Sequence, residues 1–348
     1  MSVHIADLDG MNRYDWNWKI SDLEADKDIT VFSCFSCGGG SSLGYKRAGF
    51  KVIGNVEIDP KINDLYITNN HPKYNFCEDL RLFNRRENLP EELFDIDILD
   101  GSPPCTSFST AGIREEGWGK KKKFREGQQL QTLDDLFFVF LDTVEKLNPK
   151  IAIAENVTGI IKGMAKGYVN LIIRRFKELG YDVQIFALNA AHMDVPQARH
   201  RVFFVANRCG YKKLSLNFEY DPIIFRDVRS EAGIPFLKDG ERKMLLENAT
   251  KQDRKLSQVL ERMTGQKGKY FTNMIIQDEQ VAPTITSAGD FFRYYDRMKL
   301  SQEDFRNVQS FPQDYNFKKC DVQYVCGMSV PPNMMANVAT EVYEQWLR

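Results

Sequence analysis

The sequence lacks long apolar runs, and this restricts what the protein can be. No uninterrupted apolar stretch approaches the ~18 residues that a membrane-spanning helix needs; the densest, Leu136 to Leu141, is far shorter. The first residues include Asp7, Asp9 and Asp15, where a secretory signal needs a basic start and an apolar stretch. We therefore expect a cytoplasmic protein with no membrane partner.

Histidine is scarce and the number of cysteines is odd, which argues against extensive metal or disulfide chemistry. There are four histidines and seven cysteines among 348 residues, and an odd cysteine count does not suggest a disulfide framework. Cys34 and Cys37 form a C-x-x-C pair, but no second close pair completes a zinc site at the usual spacing. We predict no metal and interpret the pair as small residues at the end of a buried strand.

An excess of charge of either sign is also missing, since the formal net charge is −1. This balance does not exclude a polyanionic partner, because phosphate binding depends on local positive charge. Local basic runs are present at Lys120 to Lys123 with Arg125, at Lys212 with Lys213, and from Lys251 to Lys269. Each of these runs could equally be a solvated face.

From Ile29 onward, apolar strands alternate with amphipathic helices. The predicted strands cover residues 29–35, 51–56, 96–99, 151–154, 183–188 and 202–205, and the predicted helices 43–48, 133–147 and 168–179. Such alternation predicts an α/β fold with a doubly wound, mostly parallel, Rossmann-like sheet and helices on both faces.

The pattern also predicts the domain organisation. Residues 1–28 are polar and acidic with interspersed aromatic residues, and form an N-terminal extension. Residues 29–207 form the main domain. The βαβ rhythm stops after Asn207, so we predict a separate small lobe over 208–285. Helical pattern returns at 301–308 and 333–346, in a C-terminal segment, 286–348, that returns to the main domain.

A glycine-rich segment, residues 35–40, follows the first strand and opens a helix. Glycines let the backbone approach a ligand closely, and a helix N-terminus favours negative charge. Glu57 ends the next strand, where an acidic side chain can bind the hydroxyls of a ribose. These features indicate an adenosine-containing cofactor without choosing between nicotinamide dinucleotides and S-adenosylmethionine; a plain tight turn is the alternative.

Three further segments lie where predicted strands end or begin. Cys105 follows two prolines just beyond the strand ending at Leu99, where a preorganised thiol could act as a nucleophile, although a lone cysteine is more often structural. Glu155 follows another strand, where it could act as a general acid or merely cap a helix. Arg199 and Arg201 share one direction on an extended segment and suit a phosphate, a base edge or a surface ion pair.

In order and spacing these segments resemble the cytosine-5 DNA methyltransferases of bacteria and phage. The matching segments are Phe-Ser-Cys-Gly-Gly-Gly (35–40), Pro-Cys-Thr-Ser-Phe-Ser (104–109), Glu-Asn-Val (155–157), Gln-Ala-Arg-His-Arg (197–201), the late helix and loop (301–312), and Gly-Met-Ser-Val-Pro-Pro (327–332). The resemblance covers residues ~30–210 and ~281–345, leaving out the extension and the lobe. It implies a class I methyltransferase fold with a target-recognition lobe over 208–285.

The resemblance implies methyl transfer from S-adenosylmethionine to carbon 5 of a flipped-out cytosine within a specific DNA sequence. Cys105 would attack carbon 6, and Glu155 would assist at ring nitrogen 3. Arg199 and Arg201 would support the base and the active-site carboxylate. Double-stranded DNA is the expected partner of a monomeric enzyme, which would associate with the nucleoid while acting; a cognate restriction endonuclease is a candidate partner.

The same resemblance implies the binding residues. Glu57 would hold the ribose, Asp79 the adenine amino group, and Ile58 the adenine face. The full cofactor set is Phe35, Ser36, Cys37, Gly38, Gly39, Gly40, Glu57, Ile58, Asp79, Leu80, Pro104, Leu136, Ser329 and Val330. Expected DNA contacts, in the nucleophile segment and a following loop, are Thr106, Ser109, Lys120, Lys121, Lys122, Lys123 and Arg125.

Four positions depart from the family pattern. Cys37 stands where a small Gly or Ala is usual, and Ser33 where an aspartate is common. Met328 replaces an asparagine that contacts the cofactor, and Thr106 replaces a frequent glutamine beside the nucleophile. None of these changes removes a catalytic group.

Three other functions remain to be weighed. An RNA methyltransferase of the same fold usually carries a Cys-Phe-Thr tripeptide, which is absent between Asn207 and Val281. A nicotinamide oxidoreductase leaves the segments around Cys105 and Glu155 unexplained. A catalytically inactive DNA-binding module is disfavoured because those two residues and both arginines are present.

Overall fold

The computed structural model describes residues 13–104, 121–122, 131–132, 136–162 and 166–348, with the backbone alone at 121–122, 131–132 and 166. The chain divides into two compact units. The sheet unit comprises Leu23–Leu188, His200–Asn217 and Met335–Arg348. The second unit comprises Met1–Asp22, Asn189–Arg199 and Phe218–Met334.

The strands, numbered along the chain, are mostly short. They are β1 (Thr30–Cys34), β2 (Lys51–Val56), β3 (Tyr74–Phe76), β4 (Ile98–Gly101), β5 (Lys121–Lys122), β6 (Gln131–Thr132), β7 (Ile151–Val157), β8 (Asp182–Asn189), β9 (Gln197–Ala198), β10 (His200–Asn207), β11 (Met274–Ile276), β12 (Ala282–Pro283) and β13 (Phe291–Arg293).

The helices follow the same numbering. They are α1 (Gly40–Arg47), α2 (Pro60–Asn70), α3 (Leu80–Arg85), α4 (Leu136–Leu147), α5 (Lys166–Glu178), α6 (Phe225–Val228), α7 (Glu241–Glu247), α8 (Leu256–Thr264), α9 (Gln302–Val308), α10 (Val322–Met328) and α11 (Pro332–Val342), followed by a π-helical turn at Tyr343–Leu347. Within the described ranges, no helix is long and apolar enough to cross a membrane.

The largest sheet of the described residues has seven strands in the order β3-β2-β1-β4-β7-β10-β8. The pairs β2–β3, β1–β2, β1–β4 and β4–β7 are parallel, and β10 runs antiparallel to β7. This confirms the predicted α/β fold with a mostly parallel sheet. The antiparallel strand was not predicted; the segment between β8 and β10 holds no α-helix, so no crossover forces a parallel strand.

Alternation along the strands separates the two faces of this sheet. Phe32, Leu99 and Ala154 lie in the main apolar core, together with Phe140 of α4. A Cβ on Gly101 would lie 2.5 Å from the Phe140 ring, so a glycine is required where α4 crosses this strand. Because successive side chains of a strand point to opposite faces, the residues between these core positions face the other side.

The second unit has its own apolar core and a buried ion pair. The core consists of Leu245, Leu246, Ala249, Leu256, Val259, Leu260, Ile275 and Phe292, from α7, α8, β11 and β13. Arg293 and Asp304 are both buried and lie 3.4 Å apart, NH1 to Oδ2. Residues 286–334 also belong to this unit, whereas residues 208–217 belong to the sheet unit.

Candidate active site

The order of the strands reverses between β1 and β4, so the topological switch point lies at their carboxyl ends. The chain moves outward from β1 to β2 and β3 on one side, and from β4 to β7 on the other. In such sheets, ligands bind beyond the carboxyl ends of the strands at this switch point. The segments that leave β1 and β4 there are the glycine-rich loop and the residues leading to Cys105.

The glycine-rich loop turns through left-handed backbone conformations. Phe35, Cys37 and Gly39 have φ values of 54°, 46° and 80°. Glycine alone adopts this region without cost, so Phe35 and Cys37 are held there by their surroundings. A Cβ on Gly39 would lie 2.2 Å from Nδ2 of the buried Asn70, so this position is closed to any side chain.

Glu57, one residue beyond β2, is fixed by this loop. Its Oε2 accepts the backbone N–H of Cys37 at 2.9 Å, and its Oε1 accepts that of Asp59 at 3.0 Å. Burial raises the pKa of Glu57, and these two backbone donors oppose the rise. Each carboxylate oxygen keeps acceptor capacity, so Glu57 fits a ligand that presents hydroxyl groups.

Three amide side chains, those of Asn55, Asn63 and Asn75, form a hydrogen-bond network that reaches Ser36 of the loop. Asn55 Nδ2 donates to Ser36 Oγ at 3.0 Å and to Asn63 Oδ1 at 3.2 Å. Asn75 Nδ2 donates to both Asn55 Oδ1 and Asn63 Oδ1 at 2.7 Å. This cluster fixes the orientation of Ser36, because a buried amide network has few alternative arrangements.

The sheet unit contains other residues that were expected to bind the cofactor, and these differ in burial and in hydrogen-bond partners. Asp79 precedes α3 and caps it by accepting the N–H of Arg81 at 2.8 Å, and its carboxylate also lies 3.2 Å from the Arg81 guanidinium. Leu80 and Leu136 are buried in the main core, whereas Ile58 and Pro104 are half-buried. The acidic side chain of Asp79 therefore already has partners within its own helix.

A buried carboxylate and guanidinium lie near the carboxyl end of β7 and at the start of β10, respectively. Arg201 Nε is 2.8 Å from Glu155 Oε1, and both side chains are nearly buried. Burial lowers the pKa of Arg201, and the Glu155 carboxylate opposes this. The next residue, Asn156, donates from Nδ2 to the carbonyl of Pro103 at 3.1 Å. The strand that carries Glu155 is thus bound to the segment that leads to Cys105.

Arg199 has a different environment from Arg201. Its NH1 donates to the Ile285 carbonyl at 3.1 Å, and its NH2 to the Gly327 and Ser329 carbonyls at 2.9 Å each. Arg199, Ser329 and the following Val330 are buried in the second unit, while Met328 is 37% exposed. The two arginines were expected to act as a pair, but the structure gives their guanidinium groups different partners.

Several expected site residues lie outside the described residues. These are Cys105, Thr106, Ser109, Lys120, Lys123 and Arg125. Of Lys121 and Lys122 only the backbone is described, in β5, which pairs antiparallel with β6. The nucleophile and the DNA contacts therefore stay predictions from the sequence.

Comparison with known proteins decides which chemistry this arrangement serves. The sequence model of the C-5 cytosine-specific DNA methylases matches residues 29–344. The chain belongs to this family. It is 28% identical over 337 residues to the Type II methyltransferase M1.HphI of Haemophilus parahaemolyticus, covering 90% of this chain and 86% of the relative. It is 29% identical over 350 residues to the Type II methyltransferase M.FnuDI of Fusobacterium nucleatum, covering 91% and 94%.

Solved structures agree with this methylase in fold. One, described as a DNA modification methyltransferase encoded within an Escherichia coli prophage, superimposes with a TM-score of 0.66 at 19% identity. The likeness covers 92% of this chain and 100% of the other. The methylase transfers a methyl group from S-adenosylmethionine to carbon 5 of cytosine in DNA. Glu57 fits this cofactor, which carries a ribose with two free hydroxyl groups.

The sequence alone gave no role to Asp100, to Tyr45 or to the cluster of Asn55, Asn63 and Asn75 in this methylase. Asp100 and Asn55 carry a signal, since Asp100 is the one polar residue of the buried strand β4 and Asn55 is the one polar residue in the buried part of β2. Buried polar residues require hydrogen-bond partners, so each such position predicts a second polar group nearby. Tyr45 and Ser36 are those partners, and neither can be identified without the fold.

Proposed function

We propose that this methylase acts on a flipped-out cytosine in a specific DNA sequence, with Cys105 as the nucleophile and Glu155 as the acid at ring nitrogen 3. The contact that carries this proposal is the buried pair of Glu155 and Arg201, 2.8 Å apart at the switch-point end of the sheet. Asn156 supports it by holding Pro103, two residues before Cys105. This bond joins the strand that carries Glu155 to the residues that precede Cys105, which supports the proposal.

Each residue meets one demand of the reaction. The Cys105 thiolate adds to carbon 6, and the electron pair displaced from the ring double bond makes carbon 5 nucleophilic. Glu155 gives a proton to ring nitrogen 3, which neutralises the charge that develops on the ring. Carbon 5 takes the methyl group and then loses its proton to a base. Those electrons re-form the double bond and expel Cys105 as a thiolate, and ring nitrogen 3 returns its proton to Glu155.

S-adenosylmethionine supplies the methyl group when it is bound. We propose that Glu57 accepts its ribose hydroxyls, since that carboxylate is oriented by two backbone amides and keeps free acceptor capacity. Residues 35–40 would approach the remainder of the cofactor closely. Asp79 would hold the adenine amino group only with its remaining acceptor capacity, because it already caps α3. Ile58, Leu80, Pro104, Leu136, Ser329 and Val330 complete the proposed set.

We also propose that residues 208–285 set the sequence specificity. They lack the βαβ order of the sheet unit, and α7 and α8 build a separate core there. Grafting this lobe onto a relative should move the methylated site, and an active chimera that keeps its host's site contradicts the proposal. Lys120 to Lys123 and Arg125, with Thr106 and Ser109, would contact DNA. Neutralising the four lysines should then reduce the dependence of affinity on salt.

A role in a restriction-modification system is proposed from the two relatives, both named Type II methyltransferases. The partner would be an endonuclease that cleaves the same site when it is unmethylated. We propose that the methylase is a monomer located in the cytoplasm, bound to the nucleoid while it acts. Sedimentation with and without DNA tests the first point, because a mass of two chains would contradict it.

One experiment tests the activity and its specificity together. The protein is incubated with DNA of mixed sequence and labelled S-adenosylmethionine, and methylated cytosines are mapped by bisulfite sequencing. We expect label in DNA, and protected cytosines within one short sequence context. Label in RNA alone, or cytosines methylated without a common context, would contradict the proposal.

A further inference from the structure

Asp100 is a buried carboxyl group with two hydroxyl partners. It lies in β4 and is 1% exposed. Ser33 Oγ donates to its Oδ2 at 2.9 Å, and the Tyr45 hydroxyl donates to its Oδ1 at 3.3 Å. Ser33 is the position where the family commonly has an aspartate. The carboxyl group that β1 lacks is therefore present on the neighbouring strand, five residues before Cys105.

The register of the sheet places Asp100 on the same face as Glu155. Asp100 pairs with Ser33 on one side and with Ile153 on the other. Glu155 lies two residues beyond Ile153, so its side chain leaves the sheet on that same face. This face is opposite to the one that packs against α4. Asp100 and Glu155 are thus diagonal neighbours on adjacent strands.

The two carboxyl groups differ in their charged neighbours. Glu155 has Arg201 as its cation, whereas no basic side chain in the described part of the chain lies within ion-pair distance of Asp100. The titratable or charged groups that surround it are Cys34 of β1, Tyr45 of α1, Tyr66 of α2 and Glu155 of β7. Burial raises the pKa of Asp100 to about 7; the hydroxyls of Ser33 and Tyr45 oppose this, and the Glu155 carboxylate adds to it.

We propose that Asp100 is a positioning residue that acts through Glu155, keeping its proton during the attack on the ring and slowing methyl transfer when it ionises. Once Glu155 has given its proton to the ring, its carboxylate is balanced by one cation, Arg201. An ionised Asp100 adds a second buried anion beside the site where negative charge develops on the base. That anion disfavours the attack, because charges interact strongly in buried surroundings. This inference rests on the proposed role of Glu155.

The single-turnover methylation rate is measured against pH, between about pH 5.5 and about pH 9. We expect the wild-type rate to fall about tenfold from its maximum as Asp100 ionises above neutral pH. Asp100→Asn keeps the shape of a neutral acid and cannot ionise, so the methylation rate of this variant should not fall at alkaline pH. An unchanged alkaline fall in Asp100→Asn would overturn the proposal.

Ser33→Ala and Tyr45→Phe give a second measurement that does not depend on the Asn variant folding. Each removes a hydroxyl that stabilises the ionised carboxylate, so the pKa of Asp100 should rise and the alkaline fall should move to higher pH. A purely structural role predicts lower rates at every pH with the fall unmoved. That result, in both variants, would also overturn the proposal.

Infrared spectroscopy reads the ionisation without turnover. The carbonyl stretch of a protonated carboxyl group should vanish above about pH 7 in the wild type and be missing from Asp100→Asn. A wild-type protein that never methylates DNA contradicts the proposed function. A titrating band together with an alkaline fall that Asp100→Asn does not change contradicts only the role of Asp100.

Discussion

Arg201 Nε lies 2.8 Å from Glu155 Oε1, with side chains that are only 13% and 10% exposed. A buried ion pair is a poor source of stability, because desolvating the two charges offsets their attraction. Its geometry is more informative than its energy. It fixes one carboxyl rotamer at the end of β7, beside the segment that Asn156 binds. An acid that must reach one ring nitrogen needs that restriction.

Glu155→Gln should slow methyl transfer far more than it weakens cofactor binding. The amide has nearly the same shape but cannot give up a proton to the ring, and general acid catalysis contributes ~10²–10⁴ in rate. Single-turnover kinetics and calorimetric titration with S-adenosylmethionine measure the two quantities. Glu178→Gln, on the solvent side of α5, is the matched control. An unchanged single-turnover rate would remove Glu155 from the mechanism.

Lysine substitutions should distinguish the two arginines. Arg199→Lys replaces a planar donor that binds three carbonyls, so it should lower the free energy of unfolding by about 2 kcal/mol. Arg201→Lys keeps the charge but loses the Nε contact, so it should mainly slow the chemical step. Denaturant unfolding and single-turnover rates measure the two effects. Equal losses of stability in both variants would contradict a structural role for Arg199 that Arg201 does not share.

The sequence predicted the sheet better than the helices packed on it. The predicted strand at 51–56 is confirmed as β2 with the same bounds. Helix α2 was missed although Asp59 caps it and Pro60 begins it. Its buried side includes Asn63, Asn69 and Asn70, so apolar periodicity is weak there. These asparagines occupy part of the face where an apolar stripe is usual.

The sequence predicted which site residues lie at strand ends, but it did not predict which side chains contact each other. Glu57 follows β2 and Glu155 lies near the carboxyl end of β7, and the order of strands in a doubly wound sheet brings such ends to one edge. Arg199 and Arg201 were expected to point one way, but Arg199 lies between β9 and β10, where the alternation of a strand does not apply. The partner of Asp100 depends on which strands are neighbours, and only the fold determines that.

Cys37→Gly should be tolerated, whereas Gly39→Ala, in the same loop, should destabilise the protein. Cys37 has φ 46°, so glycine relieves strain there while adding freedom to the unfolded chain, and stability should stay within about 1 kcal/mol of wild type. Gly39 has φ 80°, and a Cβ there would collide with Asn70. Gly39→Ala should cost at least about 1 kcal/mol and weaken cofactor binding. Thermal unfolding with and without S-adenosylmethionine measures both; a fully stable Gly39→Ala would contradict this account of the loop.

Asp100→Asn should change how stability depends on pH. The pKa of Asp100 is about 7 in the folded protein and about 3.9 in an unfolded chain, so the folded state binds the proton more tightly. The wild type should lose stability relative to Asp100→Asn as pH rises from about 4 to about 7, by at most ~1.4 kcal/mol per pH unit, and no further above that. Denaturant unfolding at several pH values measures it. Parallel stability curves for the two proteins would show that Asp100 does not titrate in this window.

The covalent step gives the most direct test of Cys105. The enzyme must bond to carbon 6, and its release requires a proton to leave carbon 5. Fluorine at carbon 5 cannot leave as a cation, so a 5-fluorocytosine target should be methylated and then stay attached to the protein. We expect a denaturant-resistant adduct that requires both S-adenosylmethionine and the intact DNA site.

Cys105→Ala should abolish the adduct and turnover while cofactor binding persists. In contrast, Cys77→Ser and Cys209→Ser, which change exposed cysteines, should leave the adduct intact. Peptide mapping locates the modified residue, and an adduct that survives in Cys105→Ala would refute the proposed nucleophile.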